Sequence, residues 1–173
     1  MDSKRQLILQ SAIDVITRYG YRRTSMEDIA QQAGISRPAI YQLFKNKEAV
    51  ATATIELVGQ QGFDSAEAAI AGIESEHERL KTYVTAYMVF YYRLIVSGPH
   101  SQELLQVKRD LGKNQPDAGR RKLAERLNEL MGLHTENEAG FVLGSAAEGI
   151  KMAAGNEETL CKRLLMLVDR FQK

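Results

Sequence analysis

Cysteine is almost missing from these 173 residues, with Cys161 as the single thiol. One thiol excludes an intramolecular disulfide and a cysteine-based zinc site, and with no histidine near it the side chain reads as a small buried hydrophobe. Histidine is scarce as well: His77, His100 and His134 are scattered without metal-ligand spacing, and no glycine-rich phosphate loop follows a strand. No catalytic residue, metal ligand or cofactor is therefore expected, and the chain does not read as an enzyme. Long apolar runs are lacking too. The longest, Tyr87 to Tyr92, is stopped by Arg93, far short of the ~20 residues needed to span a bilayer. The opening MDSKRQLILQSAID returns to polar residues too early for a signal peptide, so a cytoplasmic protein without a membrane partner is expected. Alternating apolar and polar residues with hairpin turns never occur, which leaves no strand signal.

Net charge is only +1, but it is unevenly distributed. Residues 1–50 carry +3 and residues 51–173 carry −2, a modestly basic head on a slightly acidic body, as suits a small nucleic-acid contact surface on a larger neutral scaffold. The 44% apolar and 26% charged fractions are those of a folded globular protein, long enough for a small module joined to a larger one.

What is present is helical spacing from end to end. A first helix is predicted from about Ser3 to Tyr19, with Leu7, Ile8, Ala12, Val15 and Ile16 on one face and Gly20 as its stop. A second begins at Ser25, with Asp28 completing a capping box, and ends at Gly34. A third begins at Ser36 as N-cap, tolerates Pro38 in its first turn, and ends near Phe44. Lys45 and Asn46 turn the chain into a fourth, from about Lys47 past Leu57 towards Gln60–Gly62. Further helices are predicted over 75–96, 101–111, 120–133, 136–154 and 157–171, broken by Ser97-Gly98-Pro99, by a loop at 112–119 containing Pro116, and by Gly155-Asn156. The fold class is all-α with about nine helices: a three-helix helix-turn-helix domain at 1–47, then a helical bundle at 48–173.

Two short helices joined by a turn containing Gly34 form a helix-turn-helix, whose second helix, within GISRPAIYQLFKNK, presents its first residues to the major groove. Ser36, Pro38 and Ala39 are small enough for close approach to a duplex. Arg37 can bond guanine O6 and N7 in bidentate fashion. Tyr41 and Gln42 lie within reach of a base edge or phosphate, Lys47 can neutralise a backbone charge, and Ile40 with Leu43 or Phe44 faces inward.

The run from Thr24 to Val50, TSMEDIAQQAGISRPAIYQLFKNKEAV, strongly resembles the N-terminal DNA-binding domain of TetR-family transcriptional regulators, in detail over about residues 5 to 55. Ile29-Ala30, Ala33-Gly34, Ser36, Tyr41, Phe44 and the Lys-Asn-Lys-Glu turn fall in the family's order. The resemblance implies groove positions at Arg37, Pro38, Ala39 and Tyr41, and phosphate positions at Ser25, Ser36, Gln42 and Lys47. Gln42-Leu43 departs from the family, where many members have Tyr-His or a second aromatic residue. It further implies a C-terminal domain for dimerisation and effector binding, a two-fold four-helix bundle, and a pendulum-like shift of the fourth helix on release.

The body offers residues for each task. For a homodimer, Gly140, Gly144 and Ala147 line one side of the penultimate helix, and Leu160, Leu164, Leu167, Val168 and Phe171 follow helical spacing in the last. For a small-molecule effector, Tyr83, Tyr87, Phe90, Tyr91 and Leu94 form an aromatic stripe that is either core or pocket wall. Arg93 and His100 are possible polar groups at one end, and Met88, Leu104, Leu105, Phe141, Ala146 and Met152 are further candidates. The function expected is a dimeric repressor, released by an effector from a palindromic operator in double-stranded DNA. A transcriptional activator or DNA organiser of the same fold, and a helical adaptor that binds no DNA, are the alternatives.

Overall fold

The computed structural model describes residues 3–103, 107 and 118–171, and every regular element among them is helical. Eight helices have defined bounds: α1 Ser3–Tyr19, α2 Met26–Gln32, α3 Arg37–Tyr41, α4 Lys47–Ile70, α5 Glu76–Val96, α6 Ala118–Leu130, α7 Glu138–Met152 and α8 Glu157–Phe171. Residues 101–103 and 107 are helical as well, where the sequence places a further helix; Leu104, Leu105 and Pro116 lie outside the described residues. Packing divides the chain into two compact units, Met1–Gln60 with Leu94–Asn114 and Gln61–Arg93 with Gln115–Lys173, so α4 and α5 each contribute to both.

In the first unit, α1 buries Ile8, Leu9, Ala12, Ile13, Val15 and Ile16. Leu7, expected on this face, is instead 48% exposed. Ser25 caps α2 through a capping box in which the Asp28 amide donates to Ser25 Oγ at 3.2 Å and the Ser25 amide donates to Asp28 Oδ2 at 2.7 Å. The helix closes on Gly34 at φ +64°, where the Ile35 amide reaches Ala30 O at 3.0 Å and the Gly34 amide reaches Gln31 O at 3.1 Å. That pair of bonds is a Schellman closure, which needs the left-handed backbone that glycine adopts without a Cβ penalty. The Asn46 side chain caps α4 by accepting from the Ala49 amide at 2.8 Å.

The sequence suggests that α4 ends near Gly62, but it continues to Ile70 over 24 residues. Gly62 is not a breaker here. A Cβ at that position would stand 2.9–3.1 Å from the Tyr91 ring, so the missing side chain lets α5 lie close, and this contact outweighs glycine's weak helix propensity.

The second unit has one continuous core. Phe63, Ala66 and Ile70 of α4 meet Leu80, Tyr83, Val84, Tyr87 and Met88 of α5, Leu123 and Leu127 of α6, Leu143 and Ala147 of α7, and Leu160, Leu164 and Val168 of α8. Each large side chain fully buried there contributes roughly 1.5–3 kcal/mol. Asn128 of α6, itself fully buried, ties down the connection to α7: its Nδ2 donates to Thr135 O at 2.9 Å and Asn137 O at 2.6 Å, and its Oδ1 accepts from the Gly140 amide at 2.8 Å. Ion pairs then link helices, Arg126 to Glu67 at 2.7 and 2.9 Å and Arg93 to Glu157 at 2.6 and 2.8 Å.

Candidate nucleic-acid interface

The five-residue helix α3 is too short to persist alone, and it is held by its inner face. Ile40 is fully buried and Phe44 is 4% exposed, with the Arg5 guanidinium 4.6 Å from the centre of the Phe44 ring. The opposite face carries Ser36, Arg37, Pro38, Tyr41 and Gln42, all exposed, with Ala39 half-buried beside them. Of the alternatives Leu43 and Phe44, Phe44 is the buried one and Leu43 only half so. Ser36 makes no side-chain cap bond, which leaves its hydroxyl available outside the helix. Arg37 stands 3.8 Å from the Glu27 carboxylate, with both side chains more than half exposed, and 5.8 Å from the centre of the Tyr41 ring. The guanidinium is thus aligned on the surface by two neighbours without being desolvated.

The two remaining phosphate positions lie differently. Ser25 Oγ donates to Asp28 Oδ2 at 2.7 Å and accepts from the Asp28 amide, so its proton already serves a carboxylate. These bonds from Ser25 hold the Asp28 carboxyl below the usual carboxylate range. Lys47 faces inward: its Nζ donates to Tyr21 O at 2.9 Å, Thr24 O at 2.8 Å and Arg22 O at 3.5 Å, and lies 4.5 Å from the centre of the Tyr21 ring. Its charge steadies the α1–α2 turn. Arg22 and Arg23, both exposed in that turn, were not singled out from the sequence, although the arginine pair directly before Thr24-Ser25 is the signal that marks them.

The body residues are distributed over several environments. Tyr83, Tyr87 and Met88 are buried and Tyr91 packs against the same core, with Tyr87 ring centres 5.2 Å from Phe63 and 5.0 Å from Tyr91. Burial raises the Tyr83 and Tyr87 hydroxyls above the ordinary phenol range. Of the stripe, Tyr83 and Tyr87 are core, while Phe90, Tyr91 and Leu94 are half-buried. Tyr83 lies beside the Glu67–Arg126 ion pair, with the Arg126 guanidinium 5.8 Å from the centre of its ring. Phe90 is half-buried beside Tyr91. Arg93 lies on the surface, paired with Glu157. His100 belongs to the first unit, where its Nδ1 is 2.8 Å from Glu103 Oε1. Phe141 and Met152 point outward, 46% and 65% exposed.

The residues expected between two copies are engaged within their own chain. A Cβ at Gly140 would strike Ala124 O and one at Gly144 would lie 3.4 Å from Leu123; Ala147, Leu160, Leu164 and Val168 are fully buried. Leu167 and Phe171 pack against the same core. Helical periodicity marks which face is buried and does not say against what. The exposed apolar side chains of α7 and α8 are instead Phe141, Val142, Met152, Leu165 and Met166.

No group of three or more histidine, cysteine or acidic side chains placed to hold a metal occurs among the described residues, and no described helix is long and apolar enough to cross a membrane.

A buried-back, polar-front short helix following a glycine-closed turn is the geometry of a helix-turn-helix protein. Residues 8–54 match the family model of bacterial regulatory proteins, tetR family. The chain is 26% identical over 114 residues to the HTH-type transcriptional regulator YhgD of Bacillus subtilis, covering 60% of each chain. It is 28% identical over 108 residues to the HTH-type transcriptional activator FasR of Mycolicibacterium smegmatis, covering 59% of this chain and 49% of the relative. The chain thus spans about half to three fifths of the length of these curated relatives. Its fold is that of the crystal structure of a TetR-like transcriptional regulator from Rhodococcus sp. RHA1, with a TM-score of 0.70 at 23% identity over 98% of this chain and 96% of that one. The tetR-family match thus covers residues 8–54, and over nearly its whole length the chain is similar in fold to a TetR-like regulator.

Proposed function

We propose that the protein is a sequence-specific repressor that binds a palindromic operator as a homodimer in the cytoplasm and is released by a small molecule. Residues 1–47 would read the DNA, and residues 48–173 would dimerise and take the effector. The observation that carries the reading is α3 itself: Ile40 and Phe44 anchor it from behind, while Ser36, Arg37, Pro38, Tyr41 and Gln42 stand exposed in front. Arg37 supplies the bidentate guanine contact, Ala39 permits close approach, and Ser36 and Gln42 reach phosphates, joined by Arg22 and Arg23. Ser25 and Lys47 act one step back, by fixing α2 and the turn before it.

One such helix reads only a few base pairs, so two must be set about one helical turn apart, roughly 34–36 Å. The exposed apolar side chains Phe141, Val142, Met152, Leu165 and Met166 support pairing through α7 and α8. An effector would be admitted by rearrangement of the tyrosine core around Tyr83, Tyr87 and Tyr91. Such an effector releases DNA only by preferring a conformation in which the two α3 helices are misplaced, and α4, shared by both units, is the element whose shift would do this. The activator reading stands second, favoured by the name of the relative FasR.

Selection of random duplexes by the purified chain tests the reading. Enrichment of one palindrome, relaxed by Arg37→Ala and bound with steep salt dependence, is expected. Equal binding of all duplexes, or none, overturns it.

A further inference from the structure

We propose that Glu103 is a positioning residue for DNA reading: its carboxylate holds the α1–α2 turn from which the helix-turn-helix projects. The inference rests on the DNA-binding reading above. Glu103 Oε2 accepts the Tyr21 amide at 2.9 Å, across 82 positions of sequence, and its Oε1 meets His100 Nδ1 at 2.8 Å. The turn is shaped to admit this group. Gly20 sits at φ +86°, and a Cβ there would stand 2.7–3.0 Å from the Glu103 carboxylate.

Two further contacts bring the carboxylate to this place. Thr17 O is among the last carbonyls of α1, which no intrahelical amide reaches; it accepts from the His100 amide at 3.1 Å. Gly98 allows the approach, since a Cβ on it would lie 2.6 Å from that same carbonyl. The segment after α5 thus docks on the end of α1 by its backbone and delivers Glu103 to the next exposed donor.

On its other side the turn is held from α4. Tyr21 O and Thr24 O both receive the Lys47 ammonium, so residue 21 is gripped by its N–H from one segment and by its C=O from another. Four residues further on, Ser25 starts α2. A turn fixed at both polar groups gives α2 one direction, and α2 gives α3 its place. Without the carboxylate the Tyr21 amide is solvated and the turn can rotate, which misplaces α3 without unfolding it.

The test uses the full chain and its selected operator. Glu103→Ala should lower the ratio of operator to scrambled-duplex affinity by about tenfold, the order expected from losing one hydrogen bond to a charged acceptor. The salt slope should stay unchanged, because the phosphate contacts remain. Glu103→Gln keeps an acceptor oxygen at the same reach and should restore most of the ratio, which a mere charge effect would not allow. In the wild-type chain, hydrogen exchange should find the Tyr21 amide slower than those of Arg22 and Arg23, a readout that stands even if the alanine variant does not fold. An unchanged ratio in Glu103→Ala, a glutamine variant as poor as alanine, or a fast-exchanging Tyr21 amide overturns the proposal. Failure of the wild-type chain to select any duplex would instead remove the DNA reading, before any variant is made.

Discussion

The two units differ in how much of their placement falls to apolar contact and how much to directional bonds. In the second, long helices share one apolar core and the polar contacts between them, such as Arg93 with Glu157, are set around it. In the first, α3 is held by the buried Ile40 and Phe44, while α2 and the turn before it are also placed by side chains that bond to backbone: Ser25 and Asp28 on each other's amides, Lys47 on three carbonyls, Glu103 on one amide. Hydrophobic contact is non-directional, whereas a hydrogen bond fixes an angle as well as a distance. Apolar contact makes either unit cohere; holding a particular turn in one orientation takes the directional bond as well, as at Tyr21 in the first unit and at the Asn128 joint in the second.

This contrast can be broken experimentally. Leu164→Ala in the second unit removes a fully buried side chain and should cost about 2–5 kcal/mol in denaturant unfolding; a smaller loss would mean that its core is not the main support. Arg37→Ala should leave unfolding unchanged and remove about 1–3 kcal/mol of discrimination at one operator position, read by duplex titration. Ser25→Ala should cost about 1 kcal/mol of stability.

Its partner adds a pH signature. Because the Asp28 carboxyl is held below its ordinary range, the stabilisation is fully present above that range and is lost as pH falls through the depressed value. Unfolding midpoints of wild type and Asp28→Asn should therefore differ at neutral pH and converge in acid. Arg93→Ala, at an exposed pair, should have the least effect of all, with the midpoint nearly unmoved.

The sequence announces whatever is local. Ser25 with Asp28, Gly34, and Asn46 before Lys47 mark their helix ends because a cap acts within a few residues. The bounds of α1 and α8 follow from spacing and stop signals. The outward set on α3 is equally legible, since Ile40 and Phe44 define its back. What was hidden depends on distant partners. Gly62 looks like a stop until Tyr91 is seen against it. The spacing from Gly140 to Phe171 gives no hint that α6 packs against Gly140 and Gly144. Glu103 carries no signal at all, because the amide it holds is 82 residues away.

Asn128 shows how finely such a contact is encoded. Its side chain gives two protons to carbonyls and takes one from an amide, so the site demands a nitrogen on one branch and an oxygen on the other. Aspartate has the same shape and, ionised, no proton to give; it would set an oxygen against the two carbonyls of Thr135 and Asn137. The joint between α6 and α7 therefore turns on the identity of a single atom, one that no measure of size or hydrophobicity would distinguish.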